Sequence, residues 1–326
     1  MSETFPLFLA PMAGVTNTVF RRICKSKGAD VLTTEFVSAE GILHRNARTK
    51  YYLEFCDDER PLGVQLFGAN PERLAEAARA VIDWVRPDFL DLNFGCPVNK
   101  VVCKNGGSAL LRDCPLLARV AEAVVRAAHP VPVTAKIRIG WDHRSINAVE
   151  AARILEQSGV RRIAVHGRTK EQGYSGRADW SVIAEVASTV GVPVVGNGDI
   201  ANAQDALKRK SETRVAGLMI GRAAMASPWI FAEIRAALDA NVLLPAPSRK
   251  EKWHLIRDHC SQEVAWRRDE RAAMKAMRSR LMAYTRGMPG APRLRDRLAR
   301  VESLAELEDL AANDLSDEIC TLELTA

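Results

Sequence analysis

Short, β-branched apolar runs alternate with longer amphipathic stretches through the first 240 residues. The runs predict strands at Leu7–Ala10, Val31–Thr34, Leu62–Phe67, Phe89–Asn93, Val133–Arg138, Arg162–His166, Pro193–Gly196 and Gly217–Ile220. Between them, helical spacing predicts helices over Asn17–Lys27, Pro71–Trp84, Pro115–Ala128, Ile146–Gln157, Trp180–Val190 and Ala203–Arg209. The second unit is the irregular one, because Ser38–Arg48 carries only a loose helical period. Strand–helix alternation requires parallel strands with crossover helices. Eight such units in roughly 250 residues is the size of a (β/α)8 TIM barrel. Beyond the stiff linker Leu244-Pro245-Ala246-Pro247 every periodic segment is helical: Lys250–Trp266, Arg271–Thr285, Pro292–Arg300 and Leu304–Ala312. The expected organisation is an α/β TIM barrel over residues 1–244 followed by a small all-α C-terminal domain over residues 245–326.

Charge distribution adds a partner class. The formal net charge is +6, yet residues 249–300 alone carry a net +9 and residues 301–326 a net −8. A basic cluster confined to one helical segment points to a polyanion. The seven cysteines are scattered without a CxxC pair, which fits reduced thiols and a cytoplasmic setting. No apolar run reaches the length of a membrane span, so no membrane association is expected.

Chemistry in such a barrel gathers where strands end and βα loops begin. Those points carry Pro11-Met12-Ala13-Gly14, Gln65, Asn93, Lys136 and Arg138, His166-Gly167-Arg168, Asn197-Gly198-Asp199 and Gly221-Arg222. Glycines after the seventh and eighth strands expose backbone N–H groups, the usual phosphate site of this fold, and Arg222 adds a charged fork. Lys136, in mid-strand between Ala135 and Ile137, needs an anionic or electron-rich partner, since burying an unpaired ammonium is costly. The fourth βα loop, Phe94 to Ser108, is far longer than usual and carries Cys96 between Gly95 and Pro97 just past a strand end. Cys96 and Cys103, seven apart with no histidine nearby, do not make a metal site, and no metal is expected.

Ala10-Pro11-Met12-Ala13-Gly14-Val15-Thr16, Leu92-Asn93-Phe94-Gly95-Cys96-Pro97, Lys136-Ile137-Arg138, His166-Gly167-Arg168-Thr169, Asn197-Gly198-Asp199-Ile200 and Met219-Ile220-Gly221-Arg222-Ala223-Ala224 together resemble the tRNA-dihydrouridine synthases. The resemblance covers the barrel in order and spacing, and continues more loosely through Tyr284–Gly290. It implies an oxidoreductase that binds FMN in the barrel mouth, takes electrons from NADPH (or NADH) and saturates the C5=C6 bond of a D-loop uridine in tRNA. Pro11, Met12, Ala13, Gln65, Lys136 and His166 then contact the flavin. Asn197, Gly198, Asp199, Gly221 and Arg222 hold its phosphate end, and Cys96 is the proton donor. A thiol of ordinary pKa, near about 8.5, is still largely protonated at neutral pH and suits that role.

The expected tRNA contacts are Asn93, Lys100, Lys104, Arg138 and Arg168 around the mouth. In the helical domain they are Arg271, Lys275, Arg278, Arg280 and Arg286, with Arg293 and Arg295 beside them. Where many family members carry Arg-Lys-His, this chain has Arg278-Ser279-Arg280. Lys170-Glu171-Gln172-Gly173-Tyr174 resembles members acting at D-loop position 16, and the opening motif with residues 223–231 resembles those acting near position 17, so the subfamily is B/C-like and the position stays open. No obligate protein partner is implied, and a monomer is expected. Two other readings are a flavin barrel acting on a free pyrimidine, which needs no basic helical domain, and an RNA-binding barrel without catalysis, which needs no Cys96.

Overall fold

The computed structural model describes residues 4–323 apart from 46, 104 and 289, and the side chains of these except 47, 48, 99, 100 and 317–323. Nine parallel strands form: β1 (Leu7–Leu9), β2 (Leu32–Thr33), β3 (Val37–Ser38), β4 (Leu62–Phe67), β5 (Phe89–Phe94), β6 (Val133–Arg138), β7 (Ile163–His166), β8 (Val194–Asn197) and β9 (Gly217–Ile220). They pair in the order β1-β9-β8-β7-β6-β5-β4-β2, with β3 also on β4. A parallel bridge between Phe8 and Val31 joins β1 to the start of β2 and brings the ring round on itself. The irregular second unit explains the ninth strand. Glu35 and Phe36 interrupt it, so β2 and β3 pair β4 in turn as two halves of one barrel strand.

Alternation along each strand decides which side chains face which way. Leu7, Leu9, Leu32, Val64, Leu90, Leu92, Ala135, Ile137, Val165, Leu218 and Ile220 belong to the apolar layer between sheet and helices. The other face points into the barrel. Phe8, Ala10, Ala164, Val195 and Met219 form a separate interior cluster. At the N-terminal end the Arg162 guanidinium lies between the rings of Phe8 and Phe89, 4.8 and 4.7 Å from their centroids, and plugs the cylinder. Towards the C-terminal end the interior turns polar.

The outer helices are α1 (Thr18–Ser26), α2 (Ala39–Leu43), α3 (Ala47–Leu53), α4 (Pro71–Val85), α5 (Asn99–Val102), α6 (Cys114–Ala128), α7 (Ala148–Gln157), α8 (Trp180–Thr189), α9 (Ala203–Glu212), α10 (Arg222–Ala226) and α11 (Ile230–Ala240). Asparagine or aspartate starts several of them: Asn17, Asn70, Asp113, Asp179 and Asn202 each accept a backbone N–H two or three residues on. Residues 241–248 carry no regular structure.

Helices α12 (Arg249–Arg267), α13 (Glu270–Tyr284), α14 (Ala291–Leu298) and α15 (Leu304–Glu323) follow. Their core of Trp253, Ile256, Met274, Met277, Leu281, Leu298 and Leu307 takes in Val19 and Ile23 of α1, which seats the helical region on the barrel's first helix. Asn17 Nδ2 donates to Glu263 at 2.7 Å across the same junction. The acidic chain end folds back on the basic helices: Asp314 binds Arg249 and Trp253 Nε1, Glu308 binds Arg257, and Glu302 reaches Arg271 and Arg278. Among the described residues no helix is long and apolar enough to cross a membrane.

Candidate active site

Strand register sets the rim of the barrel mouth. Gln65 lies opposite Asp91, Asn93 opposite Lys136, Arg138 opposite His166, and His166 opposite Asn197. All of these side chains occupy the inward-facing alternation, so the strand pattern converges them on one end of the cylinder.

A buried hydrogen-bond chain runs beneath the mouth. Thr134 Oγ1 and Gln65 Nε2 both donate to Asp91, Asn93 Nδ2 donates to Gln65 Oε1 at 2.8 Å, and Asn93 Oδ1 accepts the backbone N–H groups of Gly95 and Cys96 at 3.1 and 2.9 Å. Burial pushes the Asp91 carboxyl up, against the lowering effect of its two donors. Asn93 is thus the post from which the long fourth loop turns. The loop folds back through Gly107, whose φ is +59°. A Cβ placed there would lie 2.8 Å from Cys96 O and 3.1 Å from Cys96 Cβ, so only glycine fits. Ser108 closes the turn, its N–H and hydroxyl both donating to Cys96 O.

Cys96 is 7% exposed at the mouth. Burial pushes its thiol up, while the N–H of Val98 and the charges of Arg138 and Lys136 pull the other way. It is a protonated thiol at neutral pH. Lys136 is half-buried, and burial followed by the repulsion of Arg138, against the attraction of Asp91, lowers its ammonium to about 8. Among the described residues no carboxylate lies within ion-pair distance of it. His166 is pushed down to about 2 by burial and by Lys136, Arg138, Arg168 and Arg222, and so is a neutral imidazole.

The remaining expected contacts divide by exposure. Pro11 and Met12 are half-buried and Ala13 is exposed on the loop after β1. A Cβ on Gly221 would stand 3.5 Å from Ala10 Cβ and 3.7 Å from Met12 Sδ, so the first and last βα loops adjoin. Asn197 is buried and donates to Met219 O. Gly198, φ +133°, has room for no Cβ against Ala178. Arg222 is half-exposed, 3.0 Å from Asp199 and 5.1 Å from the Tyr174 ring.

Several of the expected contact residues are bonded within the protein. Gln65 has no accessible surface and both ends of its amide are bonded, Nε2 to Asp91 and Oε1 to Asn93, so it braces the mouth from below. Asn93 likewise spends its amide inside the protein. The Asp199 carboxylate holds two guanidiniums, Arg168 at 2.7 Å and Arg222 at 3.0 Å. Burial opposes its ionisation, but the Ala178 N–H and Arg168 keep it below the usual carboxylate range. Arg168 is 2% exposed and donates to Ser175 O, Gly176 O and Asp199. Arg138, also 2% exposed, ties Gly95 O to Thr169 O and Gly173 O. Arg280 is buried and donates to Gly14 O and Val15 O, and Arg278 is bound to the carbonyls of Arg300 and Val301. Lys275, Arg286 and Arg293 are exposed, as is Arg271 in its pair with Glu302, whereas Arg295 is half-buried against Ala291 O. The Lys100 side chain and Lys104 lie outside the described residues. Sequence reading missed Asp91, Thr134, Gly107, Ser108 and Glu35. The Gly106-Gly107 pair and the acid set between Thr34 and Phe36 were the available signals.

A closed parallel barrel with a cationic, polar C-terminal mouth defines a (β/α)8 enzyme of the kind that builds its site from strand ends. A family model described as Dihydrouridine synthase (Dus) matches residues 8–320, and the chain belongs to that family. It is 36% identical over 303 residues to a probable tRNA-dihydrouridine synthase of Aquifex aeolicus, covering 92% of this chain and 93% of that protein. It is 39% identical to tRNA-dihydrouridine synthase B of Pseudomonas aeruginosa, covering 91% and 88%. The corresponding protein of Xanthomonas campestris is 42% identical over 242 residues, covering 74% and 72%. Among solved structures, TcOYE with pHBA superposes with a TM-score of 0.53 at 12% identity, covering 74% of this chain and 90% of that one, a likeness of fold alone.

Proposed function

We propose that this chain is a tRNA-dihydrouridine synthase that uses FMN and NADPH to reduce the C5=C6 bond of a D-loop uridine, with Cys96 donating the proton. The observation that carries the reading is the protonated, nearly buried Cys96 thiol at a barrel mouth that also presents an ammonium with no carboxylate in ion-pair distance among the described residues. The family and the names of the relatives support the substrate.

The residues present fit FMN. Lys136 is a half-buried cation in want of an electron-rich partner, as the pyrimidine edge of a flavin is. Pro11, Met12 and Ala13 offer an accessible wall. Arg222, half-exposed beside the adjoining glycine loops, is placed for a phosphate. When bound, FMN reduced by NADPH supplies the hydride that adds to the uracil ring. The chain's own residues do the rest. Neutral His166 donates or accepts a hydrogen bond without adding charge, and Lys136 stabilises negative charge that develops in the mouth. Cys96 holds a proton at Sγ because burial disfavours its thiolate, and releases it to the ring carbon opposite the hydride. Asn93, Gly107 and Ser108 fix where that sulfur stands.

Residues 1–244 then form the flavin domain and residues 245–326 the tRNA-binding domain, in a cytoplasmic monomer. The RNA-facing cations are Arg271, Lys275, Arg286 and Arg293. Incubating the purified chain with FMN, NADPH and unmodified tRNA tests the reading. Dihydrouridine is the expected product, and a colourless protein that forms none after FMN loading overturns it.

A further inference from the structure

Gly14 sits at the tip of the loop after β1, with φ at +70° and its surface exposed. Nothing within 4 Å would meet a Cβ there, so the tip itself is open, while Met12 and Val15 on either side pack against the barrel core. Polar contacts hold it from two sides. From the gap between β2 and β3, Glu35 accepts the Gly14 N–H at 2.6 Å. From α13, Arg280 donates to Gly14 O at 3.0 Å and Val15 O at 2.7 Å, reaching across 266 residues of sequence to the first of these. Both side chains are buried, Glu35 at 6% exposure and Arg280 at 3%. A buried guanidinium and a buried carboxylate are costly unless bonded, and here one short backbone segment takes a bond from each, although Arg280 Nε keeps no partner among the described residues. Arg280 also lies over the Phe20 ring, 6.0 Å from its centroid.

Helical geometry adds the second half. At 100° per residue, Arg280 lies about 180° round α13 from Arg271, about 140° from Lys275 and about 160° from Arg278. The face that carries Arg271 and Lys275 is open to solvent, and the opposite face carries the arginine that grips the loop after β1. Met12 and Ala13, immediately before Gly14, form part of the mouth.

We infer that Glu35 and Arg280 are positioning residues, a clamp by which the helical region sets the shape of the flavin-facing loop Pro11–Val15. The inference rests on the proposed flavin site. On this inference Arg280, expected as an RNA contact, acts instead on the cofactor loop from behind.

The test measures FMN affinity by flavin fluorescence quenching and tRNA affinity by filter binding, for the wild-type chain, Arg280→Met and Arg280→Lys. Methionine keeps the apolar stem over Phe20 and removes every donor. Arg280→Met is expected to weaken FMN binding about tenfold, or ~1.4 kcal/mol, and to change the visible circular dichroism of the bound flavin. Its tRNA affinity should stay within about twofold, since a 3% exposed group adds no phosphate contact. Arg280→Lys should recover most of the FMN affinity. Unchanged FMN affinity in Arg280→Met, or a loss confined to tRNA binding, overturns the clamp. Should Arg280→Met fail to fold, Glu35→Gln serves, which weakens the hold on the Gly14 N–H alone. Weaker FMN binding there supports the clamp, and wild-type affinity overturns it. Failure of the wild-type chain to take up FMN is a different result, and removes the flavin reading itself.

Discussion

Asn93→Ala probes the turn that places Cys96. The side chain makes three hydrogen bonds, two from backbone N–H groups to Oδ1 and one from Nδ2 to Gln65. Gly95 is half-buried, and water can replace the bond to its N–H. The Cys96 N–H and the Gln65 carbonyl are buried and lose their partner outright. Each lost bond costs about 1 kcal/mol net, and a buried group left bare costs about 1–3 kcal/mol, so the variant should lose about 3 kcal/mol of stability. With a urea slope near 3 kcal/mol/M, the unfolding midpoint falls by about 1 M. Dihydrouridine formation should drop by at least about tenfold, because the proton donor no longer has a fixed position. FMN affinity should change by less than about threefold, since the Asn93 amide is bonded to Gln65, Gly95 and Cys96. Asn93→Asp keeps both acceptors for the loop but sets a carboxylate against the Gln65 carbonyl and near Asp91, so it should be as unstable at pH 7 and recover as pH falls. A midpoint within about 0.2 M of wild type together with full turnover would refute the reasoning.

Cys96→Ala should leave reduction of bound FMN by NADPH intact and abolish dihydrouridine formation, read by rapid-mixing absorbance and by nucleoside analysis; wild-type product yield removes Cys96 as the acid. Lys136→Met should raise the thermal midpoint of the cofactor-free chain at pH 7 and weaken FMN binding. The folded pKa of about 8 lies below the ordinary lysine value of 10.5. The buried charge therefore costs stability below pH 8, and the difference between the two proteins should shrink as pH rises from about 8 to 10.5; a difference that grows instead contradicts the assignment. Lys275→Gln should weaken tRNA binding and flatten the salt dependence by about one unit of log–log slope, and an unaltered slope removes Lys275 from the interface.

Much of this architecture is written in the chain. Strand ends were legible because apolar alternation stops where a polar or glycine residue is needed, as at Asn93-Phe94-Gly95-Cys96 and Asn197-Gly198-Asp199. Direction within the site was less so. Asn93, Gln65, Arg138 and Arg168 stand where a ligand contact is expected, yet each is spent on the backbone or on a neighbour, because a buried polar group must first satisfy its own hydrogen bonds. The basic segment shows the same limit. Composition counts charges, whereas the fold pairs Arg249, Arg257, Arg271 and Arg278 with the acidic α15 side and its approach. Arg280 was recoverable in principle, since its angular offset from Arg271 and Lys275 on one helix sets it on the inner face.

The Arg162 guanidinium between Phe8 and Phe89 fills the N-terminal end of the cylinder, opposite the polar mouth. On the proposed function nicotinamide and uracil then share that mouth, and the expectation is that they visit it in turn. Turnover then follows a substituted-enzyme rhythm, with parallel double-reciprocal lines and each reactant competing with the other for the vacated mouth.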